Sequence, residues 1–343
     1  MAGQQVSLPV VDVAPLLGDE SGRTAVADAI AAACTESGFF YVSGHGIPEA
    51  LGERLERLSR EFFAWPLEEK LALHMQFGGP AWRGYFGLGD ELTLGRPDHK
   101  EGLYFGNELP ASDTRVAAGV PLHGANQFPN IPEFRETVLD YIDHVTRLGH
   151  DLMAGIALSL GLEAEYFHER YTHDPLILFR IFHYPALPSS SAGALWSVGE
   201  HTDYGILTIL RQDETGGLQV RSGTEWIDAR PIPGTLVCNI GDMLDRMTGG
   251  RYRSTAHRVR NPGRSSRLSF PLFFDPGFDV SVQPIDPQAT VEDDAHARWD
   301  QTNVRQTGGR YGDYVVNKVS KVFPELAQEL FAREQPPDAG RRG

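Results

Sequence analysis

The chain has 343 residues, of which 41% are hydrophobic and 22% are charged, the composition of an ordinary globular protein. A net charge of −15 argues against a nucleic-acid or membrane partner, because phosphate backbones and anionic lipids would repel it. The two cysteines, Cys34 and Cys238, are too few for a disulfide framework, and no apolar stretch has the length of a membrane span. We therefore expect a cytoplasmic protein, and its oligomeric state stays open.

The amino-terminal part of the chain alternates short apolar runs with runs of helical periodicity. Strands are predicted over residues 8–13 and 38–43, and helices over 22–36 and 48–64. Residues 76–107 are rich in glycine and aromatic side chains, a composition that breaks helices and predicts loops and short strands.

The longest periodic run covers residues 132–160, where apolar side chains recur every three or four positions, so we predict a long helix that braces a sheet. From about residue 176 the period becomes two, and turns containing glycine separate the predicted strands 176–183, 205–211, 217–221, 225–229, 235–240, 253–260 and 267–274. Many short strands at close spacing indicate a sandwich or barrel, the jelly roll among them. A helix over 311–331 and a disordered tail are predicted to end the chain.

The residues His201, Asp203 and His257 are candidate metal ligands. Residues i and i+2 of a strand project to one face, so His201 and Asp203 can reach the same ion, and His257 would come from a distant strand. Two imidazoles and one carboxylate are typical of a non-haem ferrous site, with open positions for a co-substrate and O2. The alternative is that they are unrelated polar residues among 12 histidines. The run His99-Lys100-Glu101 has the same form, and we interpret it as a solvated loop or a pocket rim.

Arg267 and Ser269 share one face of a predicted strand and would point into the same interior as the metal ligands. A buried arginine requires an anion, and its fork of N–H donors matches a carboxylate. A dicarboxylate such as 2-oxoglutarate fits both features, whereas an ordinary salt bridge is the alternative for Arg267 considered alone.

Residues of about 8–325 resemble the iron- and 2-oxoglutarate-dependent dioxygenases of the isopenicillin N synthase-like superfamily. The resemblance rests on motifs that occur in order along the chain: Gly38-Phe39-Phe40-Tyr41-Val42, Gly44-His45-Gly46-Ile47-Pro48, His183-Tyr184-Pro185, His201-Thr202-Asp203-Tyr204-Gly205, Asn239-Ile240-Gly241-Asp242, His257-Arg258-Val259 and Arg267-Leu268-Ser269-Phe270.

This resemblance implies an α+β fold, a distorted double-stranded β-helix (a cupin-like jelly roll) flanked by helices. We divide the chain accordingly into an amino-terminal region (6–125), a long bracing helix (126–171), a jelly-roll core (172–280) and a carboxy-terminal helix with its tail (281–343). The resemblance also implies Fe(2+) on the three candidate ligands. It implies 2-oxoglutarate on Arg267, Ser269 and Tyr184, with Asn239 and Arg180 near the co-substrate.

The implied reaction uses O2, converts 2-oxoglutarate to succinate and CO2, and oxidises a C–H bond of a small molecule, with hydroxylation as the expected outcome. Large side chains and one arginine are candidates for the substrate pocket, although ordinary core packing would explain each of them as well: Trp82, Arg83, Tyr85, Phe86, Phe105, Trp196 and Phe274. Three alternatives stay open, namely an iron oxidase of the same fold that does not use 2-oxoglutarate, a non-catalytic module that binds the co-substrate, and a lectin-like sandwich without metal.

Overall fold

Two β-sheets enclose the interior of the protein, and the computed structural model describes residues 7–93, 95–186, 197–260, 265–286 and 309–331. The larger sheet has eight strands in the spatial order β1 (Val10–Asp12), β2 (Phe39–Ser43), β12 (Leu236–Ile240), β9 (Leu207–Gln212), β14 (Arg267–Asp275), β7 (Leu176–Tyr184), β6 (Glu101–Gly106) and β3 (Gly84–Phe86). The smaller sheet has four strands in the order β11 (Glu225–Asp228), β10 (Leu218–Ser222), β13 (His257–Val259) and β8 (Val198–His201). A short hairpin joins β4 (Leu92–Thr93) to β5 (Arg96–Pro97).

The strands β12, β9, β14 and β7 pair antiparallel, and so do the four strands of the smaller sheet. Four strands facing four strands form the double-stranded β-helix, so the predicted jelly roll is confirmed. The amino-terminal strands β1, β2, β3 and β6 extend the larger sheet at its two edges. The amino-terminal part of the chain is therefore continuous with the sheet that carries the core.

Helices cover the outer side of the larger sheet and flank its ends: α1 (Glu20–Glu36), α2 (Glu49–Phe63), α3 (Leu67–Leu71), α4 (Thr114–Ala117), α5 (Phe134–Ser159), α6 (Asp242–Met247), α7 (Tyr311–Val322) and α8 (Pro324–Phe331). Short 3-10 turns occur at Ala14–Leu17 and Met75–Ala81, and a π turn occurs at His168–Thr172. The helix α5 packs against β14 and α1, which confirms the predicted bracing role. Within the described ranges, no helix is both long and apolar enough to cross a membrane.

Some predicted boundaries were wrong. The single helix expected over 311–331 is two helices, because Pro324 cannot continue α7 and the preceding residue, Phe323, leaves the helical conformation. The strand expected over 253–260 is only β13, and α6 was not predicted. The strand assumed for His201 and Asp203 is β8, which ends at His201. The predicted tail lies outside the described residues.

The contact between α5 and β14 is tight enough to predict the effect of one methyl group. A side chain on Gly149 would place its Cβ 2.5 Å from the ring of Phe274, which is fully buried. Alanine normally favours a helix by about 1 kcal/mol over glycine, but overpacking a core costs roughly 1–3 kcal/mol. We therefore expect Gly149→Ala to lower the free energy of unfolding in urea, whereas Arg147→Ala on the exposed face should change it by less than about 0.5 kcal/mol. A stabilised Gly149→Ala protein would show that Phe274 can move.

Candidate functional site

The candidate metal ligands converge at one end of the smaller sheet. His201 ends β8 and His257 begins β13, and the two residues are direct cross-strand partners with ring centroids 4.2 Å apart. Asp203 lies two residues beyond β8, and its Oδ1 is 3.8 Å from Nε2 of His201 and 3.6 Å from Nε2 of His257. All three ligand atoms lie within 4.8 Å of one another. The structure therefore brings the three residues together, although Asp203 is on a loop and not on the strand that we predicted.

Hydrogen bonds turn each ligand atom towards the common centre. The Nδ1 atoms of His201 and His257 lie 2.9 Å and 3.2 Å from the carbonyl oxygens of Gly199 and Thr255. A carbonyl can only accept, so each Nδ1 carries the proton and each Nε2 keeps its lone pair. This arrangement of a backbone acceptor behind each imidazole is what metal-binding histidines commonly show.

The Asp203 carboxylate is fixed in a similar way. Its Oδ2 accepts hydrogen bonds from Thr208 Oγ1 at 2.6 Å and Asn239 Nδ2 at 2.7 Å, which leaves Oδ1 for a metal. Asn239, which was expected near the co-substrate, lines the cavity that holds the metal ligands, and its amide donates to the carboxylate of Asp203.

The loop that carries Asp203 is held by the start of α6. The backbone N–H of Asp242 donates to the carbonyl of Asp203 at 2.8 Å, and the N–H of Met243 donates to the carbonyl of Gly205 at 2.9 Å. A Cβ on Gly241 would lie 2.4 Å from the carbonyl oxygen of Gly205, so only glycine permits this approach. The run that contains Asn239 and Gly241 thus positions the metal loop through both side chain and backbone.

Electrostatics favour the protonation states that a metal needs. Burial, together with the neighbouring His201, lowers the pKa of His257 to about 4, so its imidazole is neutral at neutral pH. Burial alone would raise the pKa of Asp203. The two imidazoles and the hydrogen bonds from Asn239 and Thr208 outweigh that effect and hold the pKa below its usual value. The neutral imidazole of His257 and the ionised carboxylate of Asp203 are in the protonation states in which they can bind a divalent ion.

The predicted carboxylate clamp is also assembled. Arg267 pairs with Tyr184 across β14 and β7, and its guanidinium carbon lies 4.7 Å from the centroid of the Tyr184 ring. Ser269 Oγ is 3.3 Å from the Tyr184 hydroxyl. Arg267 donates from Nε to the carbonyl of Gly216 at 2.6 Å, but its buried Nη1 has no hydrogen-bond partner among the described residues. An unpaired N–H on a buried guanidinium is costly, so the site fits a bound anion.

Metal ligands and clamp line one cavity between the two sheets. Its walls include side chains of the larger sheet, of the smaller sheet and of α7 with the residue that follows it: Leu178, Arg180, Phe182, Leu210, Phe273, Val198, Leu218, Val259, Val315, Val319, Val322 and Phe323. Trp82, which we predicted as a wall residue, also lines the cavity. Trp196 lies outside the described residues.

The other predicted pocket residues require correction, because their side chains are buried elsewhere. The strands β3 and β6 turn Tyr85 and Phe105 to the outer face, where the Tyr85 hydroxyl donates to Glu101 and Phe105 stacks on Phe128 and Phe179. Three more predicted residues lie outside the cavity lining. Phe86 packs behind Tyr104 and Phe182, and Phe274 contacts His150 of α5. Arg83 donates a hydrogen bond to the carbonyl of Leu122.

Several cavity residues were not predicted. Glu91, Thr93, Lys100 and Tyr104 form a polar part of the wall. Lys100 is buried and lines the cavity. Of the two interpretations of His99-Lys100-Glu101, the solvated loop was therefore wrong, and the position at the pocket agrees with the structure. The alternation of side chains along β6 could have indicated that Tyr104 faces the cavity. No local sequence pattern identifies Glu91 as a cavity residue.

A buried carboxyl group at the far end of β14 gives a pH prediction. Asp275 accepts a hydrogen bond from the Tyr311 hydroxyl at 2.6 Å, and burial together with the nearby Asp203 raises the pKa of Asp275 to about 7. The folded protein thus holds a proton that the unfolded chain releases near its ordinary pKa of 3.8. The protonated Asp275 therefore contributes to the free energy of unfolding, and this contribution is fully present below about pH 4 and is lost as the pH rises to about 7.

We therefore expect Asp275→Asn to gain stability relative to the unmodified protein as the pH rises through that window, by at most about 1.4 kcal/mol per pH unit. Urea unfolding at about pH 5 and about pH 8 measures the difference, with exposed Asp279→Asn as the control. A difference that is independent of pH would contradict the raised pKa.

Two family models match the chain and together cover more than half of it. Residues 8–131 match the amino-terminal domain described for a non-haem dioxygenase in morphine synthesis. Residues 175–276 match the 2OG-Fe(II) oxygenase superfamily, and this segment contains all three candidate metal ligands and the Arg267 clamp.

Curated relatives extend over nearly the whole chain. A Dictyostelium discoideum protein named "Probable iron/ascorbate oxidoreductase" is 50% identical, over 94% of this chain and 96% of its own length. A 1-aminocyclopropane-1-carboxylate oxidase of Dictyostelium mucoroides is 38% identical, over 93% of this chain and 95% of its own. A homoarginine-6-hydroxylase of Glycine max is 36% identical, over 95% of this chain and all of its own length, 100%.

Among solved structures, a full-length Neurospora crassa protein in complex with alpha-KG and thymine superposes with a TM-score of 0.76 at 28% identity. The match covers 97% of this chain and 99% of that one. This likeness in fold and the two family matches agree with the metal set and the clamp described above. The chain belongs to the 2OG-Fe(II) oxygenase superfamily, and it is a 2-oxoglutarate-dependent dioxygenase that uses Fe(2+), 2-oxoglutarate and O2.

Proposed function

We propose that His201 Nε2, Asp203 Oδ1 and His257 Nε2 bind the ferrous ion on one face. The observation that carries the proposal is that separate hydrogen bonds orient all three ligand atoms towards one centre. Iron held by these three residues would supply the oxidising chemistry that uses O2 and 2-oxoglutarate. The protein's own contribution is to keep the His257 imidazole neutral and the Asp203 carboxylate ionised, and to turn Nε2 of His201 towards the metal.

The far carboxylate of 2-oxoglutarate would bind to Arg267, Ser269 and Tyr184. The unpaired Nη1 of Arg267 supports this placement, since a carboxylate would satisfy it with a charge-assisted hydrogen bond. The Ser269 and Tyr184 hydroxyls, 3.3 Å apart, would complete the donor set. The clamp lies in the same cavity as the metal ligands, so one 2-oxoglutarate molecule can span both.

The reaction that we propose is hydroxylation of a small organic molecule. Two relatives support it, because one is named a homoarginine hydroxylase and the Neurospora crassa structure contains thymine. The apolar part of the wall, formed by Leu178, Phe273 and Val319, would exclude water from the reacting C–H bond. For location we propose the reducing cytoplasm, on the ground that Cys34 and Cys238 are buried and unpaired.

An iron oxidase that does not consume 2-oxoglutarate is the second candidate. The 38% identity to aminocyclopropane carboxylate oxidases of two Dictyostelium species favours it. An arginine and serine at this spacing do not separate the two functions, but succinate formation does.

The test is anaerobic loading of the protein with ferrous ion, followed by 2-oxoglutarate, while the visible spectrum is recorded. We expect a weak charge-transfer band that needs both additions, and succinate formation once oxygen is admitted. Bound iron without a band and without succinate would favour the oxidase. Failure to bind iron would overturn the proposed ligand set.

A further inference from the structure

A second buried arginine faces the cavity without a carboxylate partner. Arg180 is 3% exposed and lines the cavity, and its guanidinium carbon lies 3.4 Å from the centroid of the Tyr104 ring. Its Nη1 donates to the carbonyl oxygens of Phe105 and Phe179, both at 3.2 Å. Among the described residues, no carboxylate oxygen comes within 4.0 Å of its nitrogens. The remaining N–H groups of Arg180 are left beside Tyr104 and the cavity.

This arrangement indicates an anionic ligand for Arg180. A guanidinium that is removed from water is costly unless an anion pairs with it, and its planar fork matches a carboxylate. The 2-oxoglutarate that we have placed on Arg267 already has its far carboxylate bound there, and its keto-acid end belongs at the metal. Arg180 is therefore available for the other substrate.

Acidic and basic side chains in the same region are balanced. Lys100 Nζ lies 2.6 Å from Asp98 Oδ2 and 3.2 Å from Glu91 Oε2, and both of these carboxylates are buried. Within the described part of the chain, no donor is well aligned with Glu91 Oε2, although Lys100 Nζ lies 3.2 Å from it. Asp275 also lines the cavity, and burial raises its pKa to about 7, so below that pH it is mostly uncharged. With Asp275 protonated, the charges of Arg180 and Lys100 cancel those of Asp98 and Glu91. Glu91 is close enough to Arg180 to oppose the lowering of the Arg180 pKa by burial.

We propose that the substrate to be oxidised is a small zwitterionic amino acid, with its carboxylate on Arg180 and its ammonium group on Glu91. This inference rests on the proposed function. A bare carboxylate would leave a net negative charge in a buried wall and a bare amine a net positive one, whereas a zwitterion keeps the wall neutral. The apolar portion of the amino acid would lie against Phe273 and Val319.

The experiment measures oxygen uptake by the iron-loaded protein with 2-oxoglutarate and a panel of free amino acids that includes L-homoarginine and 1-aminocyclopropane-1-carboxylate. We expect at least one to stimulate uptake about tenfold or more. Its methyl ester and its N-acetyl derivative should each have a kcat/KM lower by at least roughly thirtyfold, the effect of losing one buried charge pair.

Variants then assign the two contacts. Arg180→Gln should lose the preference for the free acid over its methyl ester, and Glu91→Gln should lose the preference for the free amine over its N-acetyl derivative. Arg180→Lys keeps the charge without the fork and should retain part of the first preference. Arg147→Gln, on the exposed face of α5, is the matched control and should discriminate as the unmodified protein does.

The proposal is overturned if no amino acid stimulates uptake, if thymine does so in their place, or if esters and N-acetyl derivatives serve equally well. The unmodified protein decides these points even where Arg180→Gln fails to fold. A charge-transfer band and succinate formation in the same preparation show that the proposed function holds, so a failed panel would then count against the substrate class alone.

Discussion

Iron-dependent succinate formation is expected to disappear when His257 is replaced by alanine. The substitution removes one of three ligand atoms and leaves Asp203 Oδ1 facing a single imidazole. Loss of a partner behind a ligand already costs roughly ten- to a hundredfold in metal affinity, so loss of a ligand should cost at least a hundredfold. Equilibrium dialysis against ferrous ion under argon gives the affinity, and succinate formation gives the activity.

The control is His173→Ala, because His173 is exposed and lies far along the chain from the metal loop. It should bind iron as the unmodified protein does. Urea unfolding of the metal-free proteins shows whether His257→Ala keeps its fold. A folded His257→Ala protein that binds iron with unchanged affinity would show that the ion is held elsewhere.

The second large effect is expected for Arg267→Ala, which should raise the KM for 2-oxoglutarate while ferrous ion still binds. Arg267 is 1% exposed and shares its cavity with the three candidate metal ligands. Removing one partner of a buried charge pair costs about 2–5 kcal/mol, which corresponds to roughly thirtyfold to several thousandfold. The KM of Arg267→Lys for 2-oxoglutarate should lie between those of the unmodified protein and Arg267→Ala, because lysine keeps the positive charge but lacks the planar pair of N–H donors.

Titration of 2-oxoglutarate into the iron-loaded protein, followed by the charge-transfer band, measures this effect directly. Arg221→Ala removes an exposed arginine paired with Glu200 and serves as the control. An unchanged midpoint in Arg267→Ala would place the co-substrate away from β14. Loss of iron itself would mean that the substitution disturbs the metal loop.

The sequence predicted the clamp and the two histidines because they lie on strands, whereas Asp203 reaches the site from the loop after β8 and not by strand alternation. His201 and His257 meet as cross-strand partners, and Arg267 and Ser269 share a face of β14. The same alternation also indicates Phe273, since it lies on the face of Arg267 and Ser269, but we chose Phe274, which faces α5. Pocket residues chosen for their size, without regard to the face on which they lie, were mostly placed wrongly.

Other features could not be predicted from local pattern. Glu91 and Lys100 meet through the loop around β4 and β5, and their pairing depends on three-dimensional closure of that loop. The division of the last helix at Phe323 could have been expected from Pro324, whereas the contact of Phe323 with the cavity could not. Long-range packing, which no periodicity encodes, decides these positions.

The cavity wall consists of two parts of the chain that should differ in how well they tolerate substitutions. Metal ligands and clamp are fixed by strand register, so a change there disturbs several partners at once. Val315, Val319 and Phe323 come from a segment after the jelly roll, and they touch the cavity without any bond to the ligands or the clamp. Mutational libraries restricted to these positions are therefore expected to alter substrate specificity while the metal ligands and the clamp stay intact.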